Sequence, residues 1–327
     1  MGVASASCGG ERSSARAVSR AARAGATGGR TRARCDRAGR GRGREGRRGA
    51  RATRARAARG DGRRVCEVYD VSRAITAYDE AWAWQRGFLR RALDAGEAAA
   101  DAALLVQHAP VYTLGAGSDV GHLKFDPAAP PSGFDVRRCE RGGEATYHGP
   151  GQLVLYPVVN LDAGGRERDL HAHMRALEEV ALRTMIELGC DAEKCGRVDG
   201  LTGAWCDGHK LAAVGVRARR WVSYHGVALN VCPDLSHFAN IVPCGIDDRP
   251  VGSVRQILLG ETGVVSGKTT PSAPAAPSSA AVEDDVALMA RAREAMIRAF
   301  ASVFHVDVIV RTRAPRADEF ASPPVVL

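Results

Sequence analysis

The sequence predicts a mixed α/β domain, an α+β arrangement of helices on a mixed sheet, over residues 65–311. Three observations predict it. Runs such as "ALLVQH", "GQLVLYPVVNL" and "SYHGVALNV" have the length and apolar content of buried strands. Segments 169–189 and 284–300 carry apolar residues at helical spacing. Strands and helices do not alternate in regular βαβ units and no internal repeat is present, which argues against a doubly wound parallel sheet.

The elements follow in order. Structure is expected to begin near Val65, with Ser72 capping a helix whose apolar positions are Ile75, Tyr78, Trp82 and Leu89 and whose end lies near Gly96. "ALLVQH" (103–108) reads as a strand and "APVYTLGAGS" as a turn into a glycine-rich loop. "GQLVLYPVVNL" is a strong strand, although Pro157 weakens a central position for it or marks a bulge. Asp169 is placed to cap the next helix, with Leu170, Met174, Leu177, Ala181 and Leu188 on one face and Gly189 closing it. "KLAAVGVRAR" and "SYHGVALNV" read as neighbouring strands with a turn at 219–221. Residues 261–283 are a Pro/Ser/Ala-rich linker or surface loop. An amphipathic helix (284–300) and a strand ("FHVDVIV") complete a C-terminal segment, 284–327, expected to pack on the domain before it.

Charge separates the ends of the chain. The formal net charge is +9, but residues 1–64 hold nineteen arginines and four acidic residues and carry +15, leaving −6 for the rest. That tail has almost no large apolar residues and cannot bury a core, so it is expected to be disordered. Its Arg- and Ser-rich, acid-poor composition is that of an organellar transit peptide removed on import. An Arg/Gly arm for nucleic acid and an extension without a role are the alternatives. No apolar run of eighteen residues suggests a membrane span. The nine cysteines never form C-x-x-C, which argues against a structural metal, and with no secretory signal the thiols are expected to be mostly reduced.

Chemistry concentrates in three stretches. "RGGEATYHGPGQLVLYP" (141–157) places glycines 142, 143, 149 and 151 around Arg141 and His148. It is neither G-x-G-x-x-G nor a lysine-ending phosphate loop. "GHKLAAVGVRARRWVSYHGVALNV" puts Lys210 at the mouth of an apolar strand and repeats a His-Gly pair at His225–Gly226. "NIVPCGI" holds Cys244 in a tight Pro-Cys-Gly turn. Taken singly, each stretch also admits a plain reading: a glycine-rich hairpin connection, a solvated lysine at a strand end, and a cysteine buried as a small hydrophobe.

Together the stretches carry a resemblance. "RGG-x-x-T-Y-H-G-P-G-Q-L-V-x-Y-P", "DGLTGAW", "KLAAVGVR", "YHGVALNV" and "IVPCGI", in this order, closely resemble the type B lipoyl(octanoyl) transferases, from about Cys66 to Leu259. The resemblance implies a biotin/lipoate protein ligase-like catalytic domain over 65–260. It also implies octanoyl transfer from octanoyl-acyl carrier protein to a lipoyl-domain lysine of a 2-oxoacid dehydrogenase subunit or glycine cleavage H protein. No cofactor, metal, nucleic acid or membrane is implied. Cys244 stands where the family has its acyl-thioester nucleophile. Lys210 stands where the family has the lysine that lowers the thiol pKa and accepts a proton. Arg141, Gly142, Gly143, Glu144, Ala145, Thr146, Tyr147 and His148 match one substrate-contact stretch. Ala213, Val214 and Gly215 match a second, and Gly226, Val227 and Ala228 a third. Small residues there would keep an acyl tunnel open. Ala145 departs from the family's frequent valine or isoleucine.

An ATP-dependent lipoate ligase of the same fold would not need Cys244. A cysteine hydrolase would need His148 or His225 as the thiol base. "WAWQ", "VYTLGAGS" and "TYHGPGQLVLYP" look more like plastid than mitochondrial members, so a plastid is expected before a mitochondrion.

Overall fold

The computed structural model describes residues 63–163, 165–243, 249–260 and 279–321. The tail, most of the linker and Cys244 lie outside them. An eight-stranded mixed sheet dominates, in the order β11-β1-β2-β6-β10-β9-β8-β7. Its strands are β1 (Arg64–Thr76), β2 (Asp101–His108), β6 (Gln152–Asn160), β7 (Cys195–Val198), β8 (Leu201–Cys206), β9 (His209–Arg219), β10 (Val222–Asn230) and β11 (Val306–Arg311). β11, β1 and β2 run parallel, and the remaining pairs are antiparallel. A second sheet of three short strands, β3 (Val111–Leu114), β4 (Asp135–Arg138) and β5 (Thr146–His148), has the order β4-β3-β5.

Alternation along β6 builds two cores. Leu153 and Leu155 face helices α2 (Leu170–Leu188) and α4 (Ser279–Val303), where Leu177, Met185, Met296 and Phe300 are buried. Val154, Tyr156 and Val158 face the opposite way, onto Phe88 and Leu89 of helix α1 (Tyr78–Ala95). A third core, with Tyr112, Tyr147, Phe238 and Ile241, lies under the small sheet. Among the described residues no helix is long and apolar enough to cross a membrane.

Local chemistry explains most boundaries. The Asp169 carboxylate accepts from the His171 and Ala172 N–H groups, and Gly189 closes α2 at φ 112°. Arg220 and Trp221, both at positive φ (48° and 64°), form the two-residue turn between β9 and β10, as the twist of a tight hairpin requires. A short helix α3 (Val254–Leu259) is capped by Ser253.

Several expectations are corrected. Ser72 caps nothing: its hydroxyl donates to Asp70 within an irregular stretch of β1, and Ile75 is an exposed strand residue. α1 starts at Tyr78 without a side-chain cap, with Asp79 and Glu80 in its first turn complementing the dipole. The stretch read as a turn after Pro110 is strand β3. The last helix begins at Ser279, five residues earlier than its sequence signal.

Pro157 does lie in a central strand, paired with Ala103 on β2. The ladder to β10 is interrupted opposite it, between Ser223 and Val227, without a shift in register. There His225 takes a left-handed φ of 61° and sends its backbone N–H to Gln85 Oε1 at 2.8 Å. Gly226 approaches β6 so closely that a Cβ would meet Leu155 O at 2.1 Å. The His225 N–H that the interrupted ladder leaves over is thus satisfied by a side-chain acceptor from α1.

Two buried histidines in this scaffold are held neutral. Burial pushes His173, on α2 against Phe304, down to about 4, and burial does the same to His108, which sits beside Tyr156 Oη at 2.9 Å. An unfolded imidazole titrates near about 6.5. Below that value the unfolded chain takes up protons that the folded chain refuses, so stability falls with pH until the folded values are reached. His173→Phe should therefore gain about 2 kcal/mol relative to wild type on going from about pH 8 to about pH 5. Urea denaturation of both proteins at the two pH values measures it, and an unchanged difference would contradict it.

Candidate functional site

The site lies where the two sheets meet. β9 runs past the end of β8, so its last residues present an unpaired edge. The segment between β4 and β5 docks on it through the Gly142 N–H, 2.9 Å from Val216 O. Arg141 fixes the other side of that segment: its Nη2 donates to Thr113 O (2.8 Å) and Thr113 Oγ1 (2.7 Å) on β3. Between these anchors lies a cavity of about 290 Å³.

The predicted stretches converge there. Arg141, Gly143, Glu144, Thr146 and His148 line the cavity, and β9 contributes Ala213, Val214 and Gly215. β10 supplies Gly226, Val227 and Ala228, and Lys210 lies in the same wall. Three predicted contacts do not line it. Gly142 acts through its backbone, while Ala145 and Tyr147 turn into the third core, because side chains of a strand alternate between faces. The smallness of Gly226 serves its approach to Leu155 rather than the width of a tunnel. Sequence reasoning missed Tyr78, Val154, Tyr156 and residues 200–202 as lining, and left His225 only as a rival base. Val154 and Tyr156 had a signal in the alternation of β6, whereas Tyr78 had none.

Lys210 is 7 % exposed. Its backbone is bracketed by Pro250 O (2.9 Å from Lys210 N) and by the Gly252 N–H (3.1 Å from Lys210 O). Its Nζ lies 5.6 Å from the centroid of Trp205, directly across the β8–β9 ladder. The stem fits because residue 203 is glycine: a Cβ there would lie 2.7 Å from Lys210 Cε. The β8 end that carries Gly203 is tied to α2 by Glu178, a buried carboxylate accepting from the Gly203 N–H at 2.8 Å and from Arg197 Nε at 3.0 Å.

Cys244 lies outside the described residues, so no distance from it is given. Pro243, the residue before it, lines a recess of about 20 Å³ together with Lys210, Thr146, Ala213 and Ala228.

A directional chain of hydrogen bonds sets the protonation of His148. The Gly252 carbonyl can only accept, so Asn230 Nδ2 donates to it (3.0 Å). Asn230 Oδ1 then accepts from Gln152 Nε2 (2.9 Å), and Gln152 Oε1 from His148 Nδ1 (2.6 Å). His148 is therefore the Nδ1–H tautomer, with its lone pair on Nε2. Burial, then the neighbouring His108, hold it well below the usual imidazole range. Burial and, second, Arg141 lower His225 to about 3, and among the described residues neither of its ring nitrogens has a partner. Among the described residues neither Arg141 nor Lys210 has a carboxylate partner. The wall thus combines apolar strand residues, two buried basic side chains and neutral imidazoles. It suits an alkyl chain ending in a group that becomes anionic, and its histidines are poor proton acceptors.

Comparison with known proteins agrees with this geometry. The profile described as the lipoyl protein ligase A/B catalytic domain matches residues 77–265. An octanoyltransferase of Synechocystis sp. is 50% identical over 192 residues, 59% of this chain and 81% of the relative. A chloroplastic octanoyltransferase of Arabidopsis thaliana is 40% identical over 252 residues, 76% of this chain and 82% of the relative. Among solved structures, lipoate-protein ligase A bound with ATP superposes with a TM-score of 0.52 at 16% identity, over 78% of this chain and 92% of that one. A bipartite lipoate protein ligase from Thermoplasma acidophilum gives 0.52 at 16% identity, over 78% and 89%. At that identity the two structures speak for the fold alone. By its catalytic-domain match and its identity to these relatives over most of their length, the chain belongs to the lipoyl protein ligase A/B catalytic-domain family, among its octanoyltransferases.

Proposed function

We propose that the chain transfers octanoyl from octanoyl-acyl carrier protein to the lysine of a lipoyl domain through a thioester on Cys244. The observation that carries the reading is the convergence of all three matched stretches and Lys210 on one cavity, with Pro243 beside Lys210. Cys244 attacks the donor thioester, its sulfur takes the acyl group, and the carrier's thiol leaves. The exchange is nearly balanced because both leaving and attacking groups are thiolates. The lipoyl lysine then attacks as a neutral amine and releases Cys244.

Lys210 suits both halves. A neighbouring ammonium favours a thiolate, and a deprotonated lysine can take the proton of the incoming amine. The buried histidines are weaker alternatives, because burial opposes their protonation. This favours the lysine over the imidazole of a cysteine hydrolase. A cysteine in the Pro-Cys-Gly sequence at 243–245, needless for adenylation, favours transfer over ATP-dependent ligation. An octanoyl chain is recognised mainly by burial of its methylenes, at about 0.8 kcal/mol each.

Intact mass after incubation with octanoyl-acyl carrier protein tests the covalent step. Wild type should gain one octanoyl group, Cys244→Ser none, and Lys210→Ala should acylate roughly 100-fold or more slowly with an unchanged fold. Acylation of Cys244→Ser at the wild-type rate would reject the thioester.

The composition of the tail supports an organellar address. The stretches "WAWQ", "VYTLGAGS" and "TYHGPGQLVLYP", together with the chloroplastic relative, whose match covers 76% of this chain, favour a plastid. Residues 1–70 fused to a fluorescent reporter should enter plastids, and purely mitochondrial signal would overturn the assignment.

A further inference from the structure

Three cysteines outside the catalytic cavity meet at one edge of the large sheet. Cys190 follows the Gly189 cap of α2, Cys195 opens β7 and Cys206 ends β8. Their sulfurs all lie within 4.8 Å of one another, and Cys195 Sγ is 2.9 Å from Cys206 Sγ. The spacing 190, 195, 206 contains no C-x-x-C, so only folding reveals the cluster.

Cys195 and Cys206 face each other across the β7–β8 ladder. The next pair along carries the hydrogen bond, Asp207 N–H to Lys194 O at 3.0 Å, which makes the cysteines a non-hydrogen-bonded pair. Such pairs bring their Cα atoms to about 4.5 Å, inside the range of about 4.4–6.8 Å that a disulfide spans. Cys195 is half-buried and reachable from solvent, whereas Cys190 and Cys206 are buried.

We propose that Cys195 and Cys206 are a site of reversible two-electron oxidation, closed into a cross-strand disulfide by exchange with a small-molecule or protein disulfide. Cys195, as thiolate, attacks one sulfur of that disulfide and releases the other as a thiol. Cys206 gives its proton to solvent and attacks the mixed disulfide at Cys195. The Cys195–Cys206 bond forms, the second thiol leaves, and the two electrons reside on the released thiol pair. Cys190, within reach of both sulfurs, is placed to exchange with either.

The surroundings favour this covalent outcome over a soft metal ion. A three-thiolate site would have to shed three protons beside Asp191 and Asp207. Burial, first, and Cys195 already push Cys206 up to about 12, with Asp207 adding to the rise, and the hydrogen bond with Cys190 raises Cys195. A disulfide is neutral and leaves no charge behind. Its position matters to the catalytic cavity. The clamped hairpin carries Trp205, against which Lys210 rests, and residues 200–202 of the cavity wall.

The test is to equilibrate the full chain in mixtures of reduced and oxidised glutathione, block the remaining thiols with N-ethylmaleimide, and map peptides by mass. Oxidising mixtures should yield a Cys195–Cys206 cross-linked peptide that disappears on return to reduced glutathione. Cys195→Ser should abolish it, while Cys244→Ser should leave it unchanged. Absence of the cross-link at the most oxidising ratio would overturn the proposal. So would a link between Cys190 and Cys195 alone, or three thiols shielded by one equivalent of metal until a chelator is added.

Discussion

A chain of buried hydrogen bonds, from the Gly252 carbonyl through Asn230 and Gln152 to His148, joins the backbone around Lys210 to the small sheet. It begins on the backbone that brackets Lys210, crosses β10 and β6, and ends in the small sheet. Its direction is forced, because a carbonyl cannot donate, and each amide in turn has one orientation left. Each amide nitrogen and oxygen of Asn230 and Gln152 has a partner, which limits the cost of burying them. Among the described residues it joins other ties between the two sheets, including the Gly142–Val216 backbone bond and the Tyr224 hydroxyl donating to Glu140.

The same constraint shapes the electrostatics. The amides of Asn230 and Gln152 are committed to this chain of hydrogen bonds, and Arg141 and Lys210, which line the cavity together with Glu144, form no ion pair among the described residues. Such a site stabilises negative charge without reorganising, which an acyl-transfer oxyanion and a thiolate both need. The histidines add hydrogen-bonding capacity but little basicity. An acyl chain beside β9 and β10 would meet Ala213, Val214, Val227 and Ala228, apolar residues without large side chains.

Much of this was legible in the sequence where local chemistry decides the outcome. The caps at Asp169 and Gly189 read directly, and β9 and β10 read from their apolar runs. Where tertiary context decides, local signals failed. The helical spacing of Ile75, Tyr78 and Trp82 runs back into β1, and with no side-chain cap at Ala77 nothing marks the junction. Pro157 weakened a central position because the acceptor that serves the interrupted ladder opposite it, Gln85 on α1, is more than seventy residues away in sequence. Within the site, Arg141–His148 was legible as a unit, but Ala145 and Tyr147 turn inward because the stretch ends in a strand, itself too short to recognise. Tyr78 reaches the cavity from the start of a helix with no motif around it. The cysteine cluster was invisible for a similar reason, since its thiols come from a helix cap and two strand ends.

In the proposed mechanism Lys210 governs the reactivity of Cys244. The most direct measurement is the rate of iodoacetamide alkylation at Cys244 as a function of pH, in wild type, Lys210→Ala and Lys210→Arg. In wild type the thiol should titrate well below the value of about 8.5 for a free cysteine. Lys210→Ala should move the midpoint up by about one unit or more, and Lys210→Arg should retain part of the lowered midpoint while transferring octanoyl poorly, because a guanidinium does not give up its proton. Identical titration of Cys244 with and without Lys210 would rule out the lysine as the group that activates the thiol.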